Sequence, residues 1–121
     1  METTLNSGWT FLAPIDFPQD IAPYLVPGET PVASFKTVRD TATFTDRRLI
    51  VRDAQGLRGK KIETYSIPYS SISMWSTENA GTLDFNAEIE LWTRAGVVKI
   101  NVGRNIDVLA LDQLISRSVL G

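Results

Sequence analysis

The sequence predicts a mainly β domain that ends in one α-helix, and three observations predict it. Between Pro31 and Val102, short segments rich in β-branched and aromatic residues alternate with turn residues, as in a β-barrel or sandwich. After Gly103 the apolar residues change from a period of two to a helical period. The chain has 121 residues, which suits a single hydrophobic core. We therefore expect one domain of seven strands and a C-terminal helix.

Residues 1–29 are predicted to form a proline-rich arm that packs on a domain spanning residues 30–121. Four of the six prolines lie in the first 30 residues, among aromatic and aliphatic residues. A helix accepts proline only in its first turn, so we expect irregular structure with one helical turn near Pro18–Tyr24. The apolar content of the arm indicates that it packs against another surface.

The seven strands are predicted from runs of strand-forming residues and from the turn signals between them. Asp53-Ala54-Gln55-Gly56 and Ala95-Gly96 are typical turn sequences. The strands cover residues 31–39, 41–46, 48–53, 60–68, 70–77, 83–94 and 97–102.

The sixth predicted strand alternates apolar and polar residues, which places one face in the core and the other in water. A shift of one residue would turn every side chain to the wrong face. For Ile72 and Met74 to share the core with the apolar residues of the sixth strand, the fifth and sixth strands must pair in one particular register. That register places Tyr69 opposite Trp92 on the outer face. The same reasoning for the next hairpin places Val97 near Trp92.

An apolar cluster is therefore predicted on the outer face. Large exposed apolar clusters usually mark a surface that binds a partner. The alternative is that the N-terminal arm covers the cluster through Trp9, Phe11 or Phe17; both interpretations hold if the arm of one subunit packs on its neighbour. The candidate interface residues are Trp92, Tyr69, Trp75 and Val97.

The C-terminal helix is predicted to run from about residue 105 to residue 120, with Asn105 as its N-cap and Asp107 favourable in its first turn. At about 100° per residue, five of its side chains share one apolar face that can cover one end of a barrel. They are Val108, Leu111, Leu114, Ile115 and Val119.

Composition excludes several kinds of chemistry. The chain has no histidine and no cysteine, which excludes a histidine base, a thiolate nucleophile, a disulfide and a thiolate or imidazole zinc site. Asp84, Glu88 and Glu90 lie on one face of the sixth predicted strand. Their spacing is that of the polar, outward-facing residues of any strand with one buried face. We therefore expect no enzyme, metal or cofactor.

Charge and hydropathy bound the partners and the location. The net charge of -2 does not favour a nucleic-acid partner. No apolar run is long enough to span a bilayer, and the N-terminus lacks the pattern of a signal peptide. We therefore expect a cytoplasmic protein, or one that is peripheral to a membrane.

Residues 47–61 contain half of the twelve basic residues. Within this segment, Arg58, Lys60 and Lys61 are candidates for contact with an anionic lipid or a phosphate. The alternative is a solvated hairpin whose basic residues form ion pairs with Asp46, Asp53 and Glu63. Asp46 and Arg48 are the candidates for a structural role: in the turn around Asp46, the five guanidinium donors of Arg48 can tie strand ends to loop carbonyls.

Four segments of the chain resemble the bacterial pleckstrin-homology domain family, over about residues 25 to 120. They are Phe44-Thr45-Asp46-Arg47-Arg48-Leu49-Ile50, Gly56-Leu57-Arg58-Gly59-Lys60-Lys61, Ser66-Ile67-Pro68-Tyr69-Ser70-Ser71-Ile72 and Ala80-Gly81-Thr82-Leu83-Asp84. The resemblance implies a split barrel of seven antiparallel strands in two near-orthogonal sheets, capped by the helix. It also implies a protein without catalytic activity that forms ring-like homo-oligomers.

These features together predict a non-enzymatic module that self-associates into a ring and is able to bind a protein or peptide partner. The alternative is a peripheral membrane module that binds anionic phospholipid through Arg58, Lys60 and Lys61. Eukaryotic relatives of the fold that bind phosphoinositides use basic residues in the first strand-to-strand loop. Here that loop, residues 38–41, has one arginine beside an aspartate, which does not favour phosphoinositides.

Overall fold

A computed structural model describes residues 5–55, 61–81 and 86–121 of the chain. These residues form eight strands, two short 3-10 turns at Ala22–Tyr24 and Tyr69–Ser71, and one α-helix. The strands are β1 (Leu5–Ile15), β2 (Pro31–Thr37), β3 (Asp40–Thr45), β4 (Arg48–Gln55), β5 (Lys61–Pro68), β6 (Ile72–Glu78), β7 (Ala87–Thr93) and β8 (Gly96–Val102), and the helix is α1 (Val108–Leu120).

The strands form one open mixed sheet in the order β5-β4-β3-β2-β1-β8-β7-β6. All neighbours are antiparallel except β1 and β8, which are parallel. The prediction of a mainly β domain with a C-terminal helix is confirmed. The prediction of seven antiparallel strands in two sheets is wrong, because an additional strand joins the two halves into one sheet whose edges are β5 and β6.

The additional strand comes from the N-terminal arm, which was expected to be irregular. Leu5–Ile15 lies between β2 and β8, and its side chains Trp9 and Phe11 are buried. The first proline of the chain is Pro14, so the backbone N–H groups before it are available for sheet pairing. The expected helical turn is present as the 3-10 turn Ala22–Tyr24.

The core lies between the inner face of the sheet and α1. Phe11 stacks on Phe35 with ring centroids 5.4 Å apart, and both rings contact Phe44 edge to face. These three rings come from β1, β2 and β3, so β1 contributes directly to the core. Among the described residues, no helix is long and apolar enough to cross a bilayer.

Helix α1 begins later than expected. Asp107, not Asn105, is the N-cap, and its Oδ1 accepts hydrogen bonds from the backbone N–H groups of Leu109 and Ala110 at 3.0 and 3.3 Å. An aspartate at this position satisfies helix donors that would otherwise have no partner. The predicted apolar face is confirmed: Leu111, Leu114 and Ile115 are buried, and Val108 and Val119 pack against the core.

The predicted register of β6 against β7 is wrong in two ways: Ile72 lies opposite Thr93 and not opposite Ile89, and a β-bulge follows it. The pairing of β6 with β7 shifts between Ile72 and Met74, so that Met74 lies opposite Trp92 and Trp75 lies opposite Leu91. A bulge adds one residue to one strand, which changes the face of every residue beyond it. Met74 is therefore on the outer face and Trp75 on the inner face, the reverse of the prediction.

Candidate interaction surfaces

Three apolar side chains form a row across the outer face of the sheet, which we call the outer apolar row. Met74 on β6 lies opposite Trp92 on β7, and Trp92 lies opposite Val97 on β8. The pairing of Trp92 with Val97 is as predicted. Met74 is 52% exposed, and Trp92 and Val97 are half-buried. The row therefore presents apolar surface to solvent, and it ends at the edge strand β6.

The neighbouring rows on the same face are polar. Ser76, Glu90 and Lys99 form the next row, in which the Lys99 Nζ lies 4.0 Å from Glu90 Oε1. Glu78 and Glu88 are opposite each other in the row after that. The outer apolar row is thus bordered by charge on one side, as is usual for the rim of a protein interface.

The edge strand β6 has few features that discourage pairing with another chain. Glu78 is its only charged residue, and it contains no proline. Natural edge strands are usually protected by lysine, proline, an inward charge or a β-bulge, and of these β6 has only the bulge between Ile72 and Met74. The other edge, β5, has Lys61, Glu63 and Pro68. The two edges of the sheet therefore differ in chemistry.

Tyr69 and Trp75, predicted on the outer face, do not belong to the outer apolar row. Tyr69 lies in the 3-10 turn before β6, is 6% exposed, and donates a hydrogen bond from its hydroxyl to the Thr45 carbonyl at 2.6 Å. Trp75 faces the helix side and packs against the core. The prediction was wrong for both because neither the 3-10 turn nor the bulge has a signature in the periodicity.

The N-terminal arm does not cover the outer face through Trp9 or Phe11, because both are core residues. The Trp9 indole N–H donates to Asp53 Oδ2 at 3.1 Å, and its ring meets Tyr65 edge to face at 5.3 Å. The other carboxylate oxygen of Asp53 lies 2.8 Å from Arg39 Nε. The alternative explanation for the outer cluster is therefore wrong for Trp9 and Phe11.

Arg48 connects three segments of the chain through four side-chain contacts. Its Nε donates to Glu29 Oε2 and its Nη2 to Glu29 Oε1, each at 2.9 Å. Nη2 also donates to the Tyr24 carbonyl at 2.6 Å, and Nη1 donates to Ser66 Oγ at 3.1 Å. This arrangement joins the β1–β2 connection to β4 and β5, which is an architectural function.

Glu29 is a buried carboxylate that sequence reasoning did not identify. Its side chain is 1% exposed, and it also accepts hydrogen bonds from the Thr45 hydroxyl at 2.7 Å and the Val26 N–H at 3.0 Å. Hydrogen bonding from Arg48 lowers the pKa of Glu29 to about 2, against the opposing effect of burial. The carboxylate therefore stays ionised in the folded protein. Nothing local in the sequence indicates this pairing, because the two residues are far apart in the chain.

Asp46 has a local structural role. Its Oδ1 accepts a hydrogen bond from the Thr30 N–H at 2.9 Å, and its own N–H donates to the Thr30 carbonyl at 2.9 Å. These two bonds hold the β3–β4 turn against the start of β2. Among the described basic residues of the segment 47–61, none forms a salt bridge with Asp46.

The described basic residues of the segment 47–61 are only partly available for a ligand. Arg52 lies 2.9 Å from Asp20 and 2.6 Å from Asp40, which are not the acidic partners expected. Lys61 is exposed at the start of β5. The other two candidates for an anionic ligand, Arg58 and Lys60, lie outside the described residues.

Glu88 and Glu90 do not belong to a metal site within the described ranges. Glu88 and Glu90 are half-buried on the outer face, and Asp84 lies outside the described residues. In the described ranges, no three acidic residues come together in a way that could hold a metal ion.

The chain is similar to a described protein family and to several known bacterial proteins. Residues 6–119 match the family described as Bacterial PH domain. Among curated relatives, the uncharacterized protein YjqA of Bacillus subtilis is 50% identical over 74 residues, which are 61% of this chain and 59% of that protein. The chain therefore matches less than two thirds of YjqA. YozO of the same organism is 25% identical over 93 residues, 77% of this chain and 81% of its own.

Solved structures of bacterial proteins share the fold. A DUF1696 family protein with a pleckstrin-homology domain from Shewanella loihica has a TM-score of 0.81 and 29% identity, covering 88% of this chain and 96% of its own. A pleckstrin-homology domain from Shewanella amazonensis has a TM-score of 0.70 and 38% identity, with 84% of each chain covered.

Proposed function

This chain belongs to the bacterial pleckstrin-homology domain family, and from that premise we propose that it is a non-enzymatic, cytoplasmic binding and assembly module. The module self-associates into a ring-like homo-oligomer through lateral contacts between sheets. The fold does not by itself determine the function, so the proposal depends on the surfaces that this chain presents.

The outer apolar row is the observation that carries the proposal. Trp92, Met74 and Val97 form continuous apolar surface that reaches the edge strand β6. Aromatic residues and methionine are enriched where proteins contact each other. A partner placed over the row would remove this surface from water, at about 25 cal/mol for each Å² of apolar area.

The difference between the two sheet edges supports a ring over a two-fold dimer. A two-fold contact uses the same patch on both subunits, whereas a contact between two different patches gives a ring when the rotation between subunits closes and a filament when it does not. β6 is nearly free of charge, and β5 carries a lysine and a glutamate. A head-to-tail contact uses each kind of edge once in every subunit.

The experiment that tests self-association is a mass measurement by light scattering on Trp92→Glu and Met74→Glu. Each places a charge within the proposed contact, so we expect a lower oligomeric mass with unchanged circular dichroism. Gln113→Glu is the matched control, because it adds the same charge on the exposed surface of α1. An unchanged mass in both folded outer-row variants contradicts the proposal.

A second function is proposed from the sequence charge, namely peripheral binding to anionic phospholipid through Arg58, Lys60 and Lys61. Lysine and arginine near an acidic membrane each contribute about 1 kcal/mol, an effect that salt weakens. We expect cosedimentation with phosphatidylserine vesicles at low salt and its loss in Lys60→Glu/Lys61→Glu. Binding that is insensitive to salt and to these substitutions contradicts this function.

A further inference from the structure

An apolar groove of about 500 Å³ lies between α1 and the strands β1 and β2. Its floor contains the buried side chains Phe35, Leu111 and Leu114. Its rim includes Ile15 and Val32, which are 37% and 54% exposed. The volume is in the range of sites that bind small molecules, and the lining is mainly hydrocarbon, as in such sites.

Most polar groups of the groove already have hydrogen-bond partners. Ser34 Oγ lies 2.9 Å from Thr43 Oγ1, and the Asp107 carboxylate caps the start of α1. A peptide in the groove would bring one backbone donor and one acceptor with nearly every residue, and these groups need partners when buried. An alkyl chain brings none, so the groove is better suited to an aliphatic ligand than to a peptide.

Arg117 is the polar group of the groove that remains available. It is exposed, and its guanidinium forms no ion pair with a carboxylate of residues 5–55, 61–81 or 86–121. Asp46 lines the adjoining hollow together with Arg117, but its carboxylate accepts a hydrogen bond from the Thr30 N–H. A guanidinium is well matched to a carboxylate, with which it forms two parallel hydrogen bonds.

We propose that this groove binds an aliphatic carboxylate, specifically a medium-chain fatty acid, with the alkyl chain between α1 and β2 and the carboxylate on Arg117. Arg117 lies near one end of the groove, and Asp107 lies at the other, about 15 Å away at 1.5 Å per helical residue. A chain of this length would contact the floor along the helix. This site goes beyond the proposed self-association and does not depend on it.

The first test is calorimetric titration with octanoate, decanoate and dodecanoate below their micelle concentrations, and with decanol as an uncharged analogue. Each added pair of methylenes is expected to raise the affinity about 15-fold until the groove is full. After that point the gain should stop. No binding of any of the three acids, or an affinity that does not rise from octanoate to decanoate, overturns the proposal.

The second test separates the charge from the apolar contact. Arg117→Gln should weaken decanoate binding about 10-fold or more and leave decanol binding unchanged, because only the charged hydrogen bonds are lost. Arg94→Gln, on the β7–β8 turn, is the matched control and should bind both as the wild type does. Equal effects of the two arginine substitutions on decanoate overturn the proposal.

The third test fills the groove. Ala110→Leu adds volume at a lining residue while keeping good helix propensity, so it should abolish binding of both decanoate and decanol. If this variant does not fold, NMR shift changes in the wild type on adding decanoate must include the methyl groups of Ala33 and Ala110. The proposal is overturned if the shift changes are confined to other regions. It is also overturned if an acidic aliphatic peptide binds to the protein and decanoate does not. Trp92→Glu should retain decanoate binding, which distinguishes this site from the assembly surface.

Discussion

The guanidinium of Arg48 holds the buried carboxylate of Glu29 with two parallel hydrogen bonds, each 2.9 Å long. The pair joins the loop before β2 to β4, and the same guanidinium reaches the Tyr24 carbonyl and Ser66 on β5. Because the Glu29 side chain is 1% exposed, the charge has almost no contact with water to compensate for loss of its partner. The pair is therefore a point where the stability of the fold is sensitive to single changes.

Removal of the Glu29 charge should strongly destabilise the domain. Glu29→Gln leaves the Arg48 guanidinium, which is 20% exposed, without its counter-charge. Breaking a buried pair in this way costs about 3 kcal/mol in the free energy of unfolding. Denaturant unfolding measures the loss. Glu78→Gln, at an exposed site, is the control, and its free energy of unfolding should change by no more than about 0.5 kcal/mol. Similar losses for the two variants would show that the Glu29–Arg48 pair does not stabilise the fold.

Acid unfolding should depend on Glu29. Its pKa is about 2 in the folded protein, mainly through hydrogen bonding from Arg48, and 4.5 is its ordinary value. Because the pKa is lower in the folded protein, the ionised carboxylate stabilises the fold at every pH above the ordinary pKa of 4.5. This contribution is lost as the pH falls from about 4.5 towards about 2. The free energy of unfolding measured across this window should therefore fall more steeply in the wild type than in Glu29→Gln. Parallel curves would contradict this prediction.

Alkaline unfolding should depend on Tyr69. Burial raises the pKa of its hydroxyl from 10.0 to about 12, so the fold favours the neutral phenol. The contribution to stability is complete below pH 10.0 and is lost as the pH rises towards about 12. Tyr69→Phe should show a weaker loss in this window. At neutral pH it should lose about 1 to 2 kcal/mol, because the Thr45 carbonyl loses its donor. Identical alkaline transitions would exclude Tyr69 as the titrating group.

The contact between Trp9 and Asp53 should be coupled energetically. Trp9→Phe removes the indole donor from a carboxylate that is 4% exposed, and we expect a loss of about 1 to 3 kcal/mol. A double-mutant cycle with Asp53→Ala, followed by denaturant unfolding, isolates the pair from other effects of each substitution. An interaction energy above about 0.5 kcal/mol is expected, whereas additive losses would show that the hydrogen bond contributes nothing.

The start of α1 can be tested by comparing two neighbouring residues. Asp107→Ala removes the acceptor for the N–H groups of Leu109 and Ala110 and should cost about 1 kcal/mol. Asn105→Ala should change the free energy of unfolding by less than about 0.5 kcal/mol, since Asn105 is exposed and precedes the N-cap. Thermal unfolding of both variants measures the difference. A larger loss for Asn105→Ala would restore it as the cap.

The predictions that were confirmed depend on patterns within short segments. The alternation in β7 and β8 correctly placed Val97 beside Trp92, because a hairpin with one buried face has one acceptable register. The apolar spacing in α1 correctly identified Leu111, Leu114 and Ile115 as buried, because helical geometry places them on one face. The predictions for Met74, Trp75 and Tyr69 failed because a bulge interrupts β6 and a 3-10 turn directly precedes it.

The sequence by itself determined the family, the predominance of β structure, the C-terminal helix and the absence of histidine and cysteine chemistry, because these depend on composition and local periodicity. Tertiary structure alone decided the position of β1, since its parallel partner β8 lies about 90 residues further along the chain. It also decided the pairing of Arg48 with Glu29 and the groove beside Arg117. Such contacts are set by how distant segments pack, and no short-range pattern in the chain encodes them.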